Sequence, residues 1–437
     1  MSVYPRNLSN FLNRLSGYNK NNVKMNVLGS DSAKHGQTVQ VELPTNSIVD
    51  LSSLAWVFKV LYTNPGDGKK MHLPIQAETL IDRLAVEVNG QTLVNLQNYN
   101  VLFNMLLYQS ATEDYQRQRN ISQANMAGDA ANGSCEEVTG GADATDAADI
   151  ALRTRHHVID SWLGFLGTAK PQFIDTSLLG NVRITITLAS EGIINGDGTD
   201  TPTSRGFELS DQFFTCDVIS ISDGIYDAMV DQRLASGAPI EIPFKNYFSY
   251  TQQNGANMGQ MLNFNVASQS IDRLWATARN RSHANANHPK VAVATPAHAI
   301  MASAHPAMRL RSCGGKDFQF QINQTLYPNY ISDKAGVWQQ QLRNAMGEQG
   351  NMLSGSFSNS LTQYQDFFFA FAVSLEHKTD SDERYMSGID TRGAAASCHF
   401  KASAGGPGTA VANQTLVFAE CTSCLKVMAN KVLEVVQ

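Results

Sequence analysis

The sequence carries little charge for its length. Of its 437 residues only 16% are charged, against about 25% in an average globular protein, and 43% are hydrophobic. The formal net charge is −6, so no overall positive field attracts nucleic acid, and we expect no direct sequence-specific binding to it. A low charge density of this kind suits a surface that neighbouring chains largely cover. The length predicts two or three domains, each able to bury a hydrophobic core.

Cysteine and long apolar runs are also scarce. The six cysteines fit free thiols in a reducing compartment better than a disulfide framework. The densest apolar runs, 51–62 and 367–375, are too short to span a membrane. The first residues lack the apolar core of a signal peptide. We therefore expect neither a transmembrane helix nor a secretory leader.

Motifs of catalysis are missing as well. The sequence has no phosphate-binding P-loop, no H-E-x-x-H zinc motif and no G-x-S-x-G nucleophile elbow. We expect no enzyme activity, no catalytic residues and no cofactor. One set of metal ligands is left open, made of Cys398, His399, Cys421 and Cys424. Buried free thiols are the favoured interpretation, because positions i and i+3 of a strand point to opposite faces.

The N-terminal arm, residues 1–30, differs in charge from the rest of the chain. It carries four basic residues and no acid, so it is +4 while the remainder is −10. Apolar residues at i, i+3, i+4 and i+7 predict a short amphipathic helix with arginines beside it (Arg6, Leu8, Phe11, Leu12, Arg14, Leu15). An asparagine-rich linker, 19–22, follows. The helix packs either on its own domain or on an adjoining subunit, a membrane surface or a scaffold protein.

One stretch, 81–108, predicts a strand, a turn and a short helix. Its strand alternates apolar and polar residues, Asn89-Gly90 supplies the turn, and the helix presents one apolar face. A similar unit occurs at 318–346, where Asn323 stands in the position of Asn89. Three further segments recur in the same order: 39–48 with 262–271, 182–188 with 369–375, and 214–216 with 418–421. The sequence therefore predicts an internal duplication.

The duplication sets the predicted fold and domains. The spacing between matched segments changes where loops have been inserted, and the acidic Gly/Ala-rich stretch 123–150 is the largest such loop. Further long loops are predicted at 280–306 and 394–412. The predicted fold is mainly β, with two tandem eight-stranded jelly-roll β-sandwiches and a few short helices. The predicted domains are the arm at 1–30, a first jelly roll at 31–232 and a second at 233–437.

At this point the sequence resembles a known family. LIDRLAVEVNGQTLVNLQNYNVLFNML (80–106) and LRSCGGKDFQFQINQTLYPN (310–329) resemble corresponding passages of the two jelly rolls in the double jelly-roll major capsid proteins. This family occurs in double-stranded DNA viruses, including polinton-like viruses, nucleocytoplasmic large viruses and virophages. The resemblance covers most of residues 30–437 at the level of architecture and about a fifth of them at the level of amino-acid sequence.

The resemblance implies a structural role in the virion. The chain would form homotrimers that act as pseudo-hexagonal capsomers of an icosahedral shell, assembled inside the host cell. It would contact neighbouring capsomers and, on the inner side through the arm, minor capsid or penton proteins or an internal membrane. The loops 123–150, 280–306 and 394–412 would lie at the outer end or rim. The alternative is a β-sandwich carbohydrate-binding or glycan-active protein, since jelly rolls often have that function.

Overall fold

Strands dominate the computed structural model. It describes residues 18–62, 70–72, 76–110, 137–139, 156–193, 195–196, 206–221, 224–256, 259–281, 309–347, 361–366, 368–376, 387–393, 397–406 and 412–437. These residues form two β-sandwiches in tandem, each built from a pair of sheets. The predicted fold class, a tandem pair of jelly rolls with a few short helices, is confirmed.

The first sandwich contains thirteen strands of very different length among the described residues. In chain order they are β1 (Tyr18–Asn26), β2 (Ala33–Lys34), β3 (Thr38–Glu42), β4 (Ile48–Tyr62), β5 (Lys70–His72), β6 (Ile81–Val88), β7 (Gln91–Gln97), β8 (Glu137–Thr139), β9 (His156–Ile159), β10 (Phe173–Asp175), β11 (Val182–Leu188), β12 (Asn195–Gly196) and β13 (Phe207–Ile221). The two facing sheets have the orders β1-β13-β4-β10 and β3-β11-β6-β7. The three short strands β5, β8 and β12 pair in a separate small sheet.

The second sandwich repeats this order. Its strands are β14 (Ile240–Asn254), β15 (Gln260–Phe264), β16 (Ile271–Asn280), β17 (Gly315–Ile322), β18 (Thr325–Ser332), β19 (Phe371–Ser374), β20 (Cys398–Ala404), β21 (Asn413–Val427) and β22 (Leu433–Val436). They form the sheets β14-β21-β16-β19 and β15-β20-β17-β18. Strand for strand, these orders match the two main sheets of the first sandwich. The predicted duplication therefore holds at the level of topology.

Few helices accompany the strands in the parts of the chain described above. They are α1 (Tyr99–Ser110), α2 (Phe165–Thr168), α3 (Thr176–Leu179), α4 (Gly224–Ala235), α5 (Ala335–Met346) and α6 (Leu361–Asp366), with single 3₁₀ turns at Ala77–Leu80, Glu191–Ile193 and Ala429–Lys431. None of the described helices is long and apolar enough to cross a membrane. Helix α4 joins the two sandwiches, so the predicted boundary at 232/233 falls within it and stays a prediction.

Period-2 alternation explains why these segments are strands. In β11 every second residue from Val182 to Leu188 is buried, and in β17 Phe318, Phe320 and Ile322 are buried while the residues between them are half-buried. Phe318 and Phe320 both contact the ring of Phe371 in the facing sheet, at centroid distances of 5.8 Å. Because apolar and polar residues alternate, the aromatic side chains point towards the core of each sandwich.

Two predictions about the chain's organisation are wrong. The stretch 19–22, predicted as a linker within the 1–30 arm, lies in β1, and β1 pairs with β13 along all nine of its residues. Asparagine is poor in strands, but the ladder to β13 holds the segment in place. The stretch 394–412, predicted as a loop, contains β20, whose Cys398 and Phe400 are fully buried.

One predicted correspondence between the halves is also wrong. Strand β11 pairs with β3 and β6, and β20 pairs with β15 and β17, so these two strands are the equivalents. The segment 369–375, matched to β11 from the sequence, contains β19, which pairs with β16 in the other sheet. Both β11 and β19 are rich in apolar residues, and composition alone does not reveal which sheet a strand joins.

Candidate functional site

The two sandwiches meet at a junction, formed by strand β14 on one side and by β7, α1 and α2 of the first sandwich on the other. The amide of Lys245 donates to Thr168 Oγ1 at 2.9 Å. Asn246 Nδ2 donates to the carbonyl oxygen of Leu93 at 3.3 Å. These hydrogen bonds satisfy polar groups of β14 that the second sandwich leaves unused, and they fix its register against the first.

Aromatic contacts close the same junction. The rings of Phe165 and Phe244 meet edge to face at 5.2 Å, and those of Tyr108 and Phe368 do so at 4.9 Å. Gln109 Nε2 also donates to the carbonyl oxygen of Phe368 at 2.8 Å. Each such aromatic pair adds about 0.5–1.5 kcal/mol beyond the burial of its area. Buried residues of both sandwiches belong to one hydrophobic cluster, so the core continues across the junction.

The sheet face that β14 shares with β21 and β16 turns towards the junction. Trp275 lies directly opposite Phe418, and Phe418 lies opposite Ser249, so the three side chains share one face. Asn98 of the first sandwich donates to Ser249 Oγ at 3.2 Å. Trp275 and Phe418 are fully buried, at 1% and 0% exposure. The second sandwich therefore buries apolar side chains on both faces of this sheet.

A cluster of five charged side chains lies on the same sheet. Lys245 Nζ is 2.9 Å from Asp272 Oδ2 and 3.4 Å from a carboxylate oxygen of Glu376. Arg273 pairs with Glu376 and, at 3.4 Å, with Glu420. The indole nitrogen of Trp275 donates to Glu420 at 3.1 Å. This network ties β14, β16 and β21 to Glu376, the second residue after β19.

Burial governs the ionisation of this cluster. Desolvation raises the pKa of Glu420, although Arg273, Lys245 and the Trp275 indole all favour the charged form. Burial alone would lower the pKa of Lys245, but Asp272 and the other carboxylates raise it overall. Three carboxylates facing two cations leave the cluster one negative charge in excess when all are ionised. Such a network holds strands together and is expensive to break from one side.

An electrostatic influence across the junction acts further along β16. The charge of Asp82, on β6, acts on Arg279, whose Nε donates to Gln414 at 2.6 Å. Burial lowers the pKa of Arg279 to about 10, and Asp82 opposes that shift. This influence crosses the junction, whereas the five-residue cluster lies within the second sandwich.

The matching flank of the second sandwich, made of β18 and α5, is open in the single chain. Strand β18 ends its sheet, and its Leu326, Tyr330 and Ile331 are 37%, 45% and 70% exposed. Helix α5 buries only one side, with Trp338 and Leu342 inward. In the first sandwich, by contrast, the equivalent strand and helix lie against the junction.

The predicted arm residues (Arg6, Leu8, Phe11, Leu12, Arg14, Leu15) lie outside the described residues. The structure does describe where the arm joins the sandwich. Tyr18, the first residue of β1, pairs with Ile221 at the end of the sheet where β4 begins. The short strands β5 and β12 come just after the opposite end of β4 and just before that of β13. Tyr18 and the small sheet therefore lie at opposite ends of the first sandwich.

The open metal-ligand set does not come together. Cys398 lies in the sheet of β20, whereas Cys421 and Cys424 lie in β21 of the facing sheet. His399 hydrogen-bonds to Ser397 and to Asn263 on the outer face. Among the described residues no group of three or more Cys, His, Asp or Glu side chains could hold a metal ion. All five described cysteines are buried and free, as favoured above, and burial raises the pKa of Cys421 to about 12.

The predicted outer loops are only partly visible. Almost all of 123–150 and of 280–306 lies outside the described residues. The part of 123–150 that is described, β8, pairs with β5 in the small sheet.

The junction residues were missed by the sequence analysis. Phe244, Asn246 and Phe165 stand in segments without any motif. One signal could have found the junction: helix α1 reads YNVLFNMLLYQS and has no charged residue, whereas a surface helix usually has one strongly polar face. Such a helix needs cover on more than one side, and Phe368 of the second sandwich covers Tyr108.

Searches of the sequence against protein-family models and curated proteins find no match. Solved structures, however, match along the whole chain. PBCV-1 VP54, fitted into a reconstruction of the virophage Sputnik, superposes with a TM-score of 0.63 and 11% identity, over 98% of this chain and 98% of that chain. The Faustovirus major capsid protein gives 0.56 and 8%, over 95% and 91%.

A chain from the 3.5 Å structure of the Sputnik virophage behaves in the same way, with a TM-score of 0.54 and 10% identity over 100% of this chain and 92% of that chain. Identities this low show a shared fold and nothing more specific. The coverage is nevertheless complete, so both sandwiches and their relative placement are included in the likeness. The chain has the double jelly-roll fold found in the major capsid proteins of these viruses.

Proposed function

We propose that this chain is a major capsid protein, a structural and non-catalytic subunit of an icosahedral virion shell. The observation that carries the proposal is the match of both sandwiches, in one superposition, to viral major capsid proteins over nearly their full length. A shell subunit must hold its two sandwiches in a fixed relative orientation. The continuous core and the hydrogen bonds of the junction meet that requirement.

The assembly unit is a homotrimer. Three chains bring six sandwiches together, which makes a pseudo-hexagonal capsomer able to tile a shell beside neighbouring capsomers. Three copies of the 47.7 kDa chain make a particle of about 143 kDa. Sedimentation of the purified protein at micromolar concentration should give that mass, and negative-stain images should show pseudo-hexagonal particles. A monomer under these conditions would contradict the trimer.

The arm acts on the inner side of the shell. It leaves the first sandwich at Tyr18, at the end opposite the small outer sheet. Its apolar residues and arginines suit contact with a minor capsid or penton protein, an adjoining capsomer or an internal membrane. Deleting residues 1–17 should leave the trimer intact and impair shell assembly. The deletion must stop there, because β1 belongs to the first sandwich. Unimpaired assembly would show that the arm has another role.

A further inference from the structure

We propose that Ser397, His399 and Asn263 form a nucleophilic triad that makes Ser397 an acceptor of acyl groups from activated esters and thioesters. The three side chains lie on the outer face of the sheet β15-β20-β17-β18 in the second sandwich. No sequence motif marks them, because Asn263 is separated from His399 by 136 residues. The reaction modifies the chain covalently and leaves its proposed structural role in place.

The register of the strands brings the imidazole and its neighbours together. Asn263 of β15 lies directly opposite His399 of β20, and Gln321 of β17 lies opposite His399 on the other side. Directly opposite residues of antiparallel strands have Cβ atoms about 4.5–5.5 Å apart. Cys398 and Phe400, on either side of His399 in the chain, are fully buried, so the imidazole points outwards. The position of the ring therefore follows from the sheet.

The backbone of Ser397 is held beside the ring. Its carbonyl oxygen accepts a hydrogen bond of 2.9 Å from the amide of Asn323, in the turn between β17 and β18. Ser397 stands two residues before His399, so both side chains leave the chain on the same side. Ser397 is exposed and His399 is half-buried. An acyl donor in solution therefore reaches the serine hydroxyl directly.

The hydrogen bonds fix the tautomer of His399. Its Nδ1 lies 2.6 Å from Oδ1 of Asn263, and an amide oxygen can only accept. Nδ1 therefore carries the proton, and the lone pair of the neutral ring is on Nε2. This Nε2 lies 2.7 Å from Oγ of Ser397, a distance at which a base removes the proton of a hydroxyl. Ser397 is thus the nucleophile, His399 the base and Asn263 a positioning residue.

The acyl transfer needs no reagent besides the donor. Oγ of Ser397 attacks the carbonyl carbon while its proton passes to Nε2 of His399, and the π electrons of the carbonyl move to its oxygen. The carbonyl then re-forms, the bond from its carbon to the leaving group breaks, and the imidazolium returns the proton to the leaving alkoxide or thiolate. The products are an acyl-serine and an alcohol or a thiol. Serine is a poorer leaving group than those of activated donors, so the acyl-serine should accumulate.

Lys401 adds a positive charge on the same face of the sheet. It lies two residues after His399, and its Nζ donates to Oε1 of Gln321 at 2.8 Å. Nε2 of Gln321 donates in turn to the carbonyl oxygen of Asn323 at 2.7 Å. A cation held in this place favours acyl donors that carry a negative charge.

The test uses para-nitrophenyl acetate and the purified full-length protein. Mass spectrometry of its peptides should locate an acetyl group on Ser397. His399→Gln should slow the acetylation of Ser397 by about 100-fold, since a positioned general base contributes at least that much. Asn263→Ala should slow it by about 10-fold, because the ring is then less well oriented. Asn263→Asp retains an acceptor oxygen and should restore at least the wild-type rate.

Ser403 provides the matched control. It is exposed on the same face of β20, and its amide donates to Asp317 at 2.7 Å. Ser403 should be acetylated no faster than a serine of the unfolded chain. Equal acetylation of Ser397 and Ser403 would overturn the triad, and so would acetylation of Ser397 that His399→Gln leaves unchanged.

A second pair of variants measures the same activation by another chemistry. In Ser397→Cys the imidazole should favour the thiolate, so iodoacetamide should alkylate this thiol about 10-fold faster than the thiol of Ser403→Cys. Equal alkylation rates would count against the base. Both reactions are measured whether the protein is trimeric or monomeric, so their outcome is independent of the proposed assembly.

Discussion

Two asparagines occupy equivalent turns of the two sandwiches. Asn89 and Asn323 have φ values of 47° and 54°, a left-handed conformation that asparagine tolerates better than most residues. The amide of Asn89 donates to Asn181, and that of Asn323 donates to Ser397, each just before the equivalent strands β11 and β20. The sequence prediction that these two turns correspond is confirmed.

Asn323 provides a direct test of backbone strain. Valine is β-branched and disfavours positive φ, so Asn323→Val should lower the free energy of unfolding by about 1–3 kcal/mol. Asn323→Gly should cost much less, because glycine adopts this conformation freely. Asn323 is exposed, so neither change removes core packing. Chemical denaturation of the two variants checks this, and equal losses would argue against strain as the cause.

Glu420 gives the structure a defined pH response. Its pKa is raised above the ordinary 4.5 by burial, so the folded chain holds the proton more tightly than the unfolded chain does. That contribution to stability is present below pH 4.5 and is lost as the pH rises through the folded pKa. The stability of the wild type relative to Glu420→Gln should therefore fall as the pH rises above 4.5. Unfolding curves at several pH values measure this difference.

The partner of Glu420 supplies the control. Arg273→Met leaves Glu420 and Glu376 with Lys245 as their remaining cation in the cluster. Removing the cation of a buried ion pair is more harmful than neutralising its carboxylate. The free energy of unfolding of this variant should therefore be about 3 kcal/mol lower at pH 7. A smaller loss of unfolding free energy than in Glu420→Gln would mean that the five charged residues do not act as a unit.

At the scale of elements, the two helices that follow the turn hairpins have diverged. Phe103, the fifth residue of α1, is 6% exposed and stacks on Tyr99 at 5.9 Å. The fifth residue of α5 is Gln339, which is exposed. Phe103→Gln should therefore lower the free energy of unfolding by about 2–4 kcal/mol, whereas Gln339→Ala should change it by less than about 0.5 kcal/mol. Thermal denaturation of the pair checks the contrast.

The sequence predicted the elements well where the pattern was local. The strands and helix of 81–108 and 318–346 follow from apolar periodicity and from turn chemistry. Strand β20 was missed because Cys398–Ala404 is short and stands among glycine, alanine and serine. Strand β1 was taken for a linker because four of its nine residues, YNKNNVKMN, are asparagine, a poor strand former, and among its described side chains only Met25 reaches the core. Both segments are strands through pairing with distant partners, which local sequence does not encode.

At the scale of the molecule, the junction makes the two sandwiches one folding unit. Phe244 is buried on the second sandwich and contacts Phe165 of the first. Phe244→Ala should create a cavity in the shared core and cost about 3–5 kcal/mol. Calorimetry should show a single transition for the wild type and a single, lower one for the variant. Two separate transitions in the wild type would show that the sandwiches unfold independently.

The proposed function also rests on features of the whole molecule. The junction became visible only when both sandwiches were placed side by side, because its residues are far apart in sequence and belong to no motif. Whole-chain superposition was equally decisive, since identities of 8–11% leave too few shared residues for sequence comparison. The arm residues stay a prediction, because their place in the molecule lies beyond the residues described.

Helix α1 affects how the chain folds during its synthesis on the ribosome. It carries no charged residue, and its last turn is covered by Phe368, which is synthesised much later. At about 5–20 residues per second, the wait for the second sandwich lasts on the order of 10–40 seconds. During that time the nascent first sandwich exposes an apolar flank that other nascent chains could bind. A chaperone that shields this flank during translation should therefore raise the yield of folded protein.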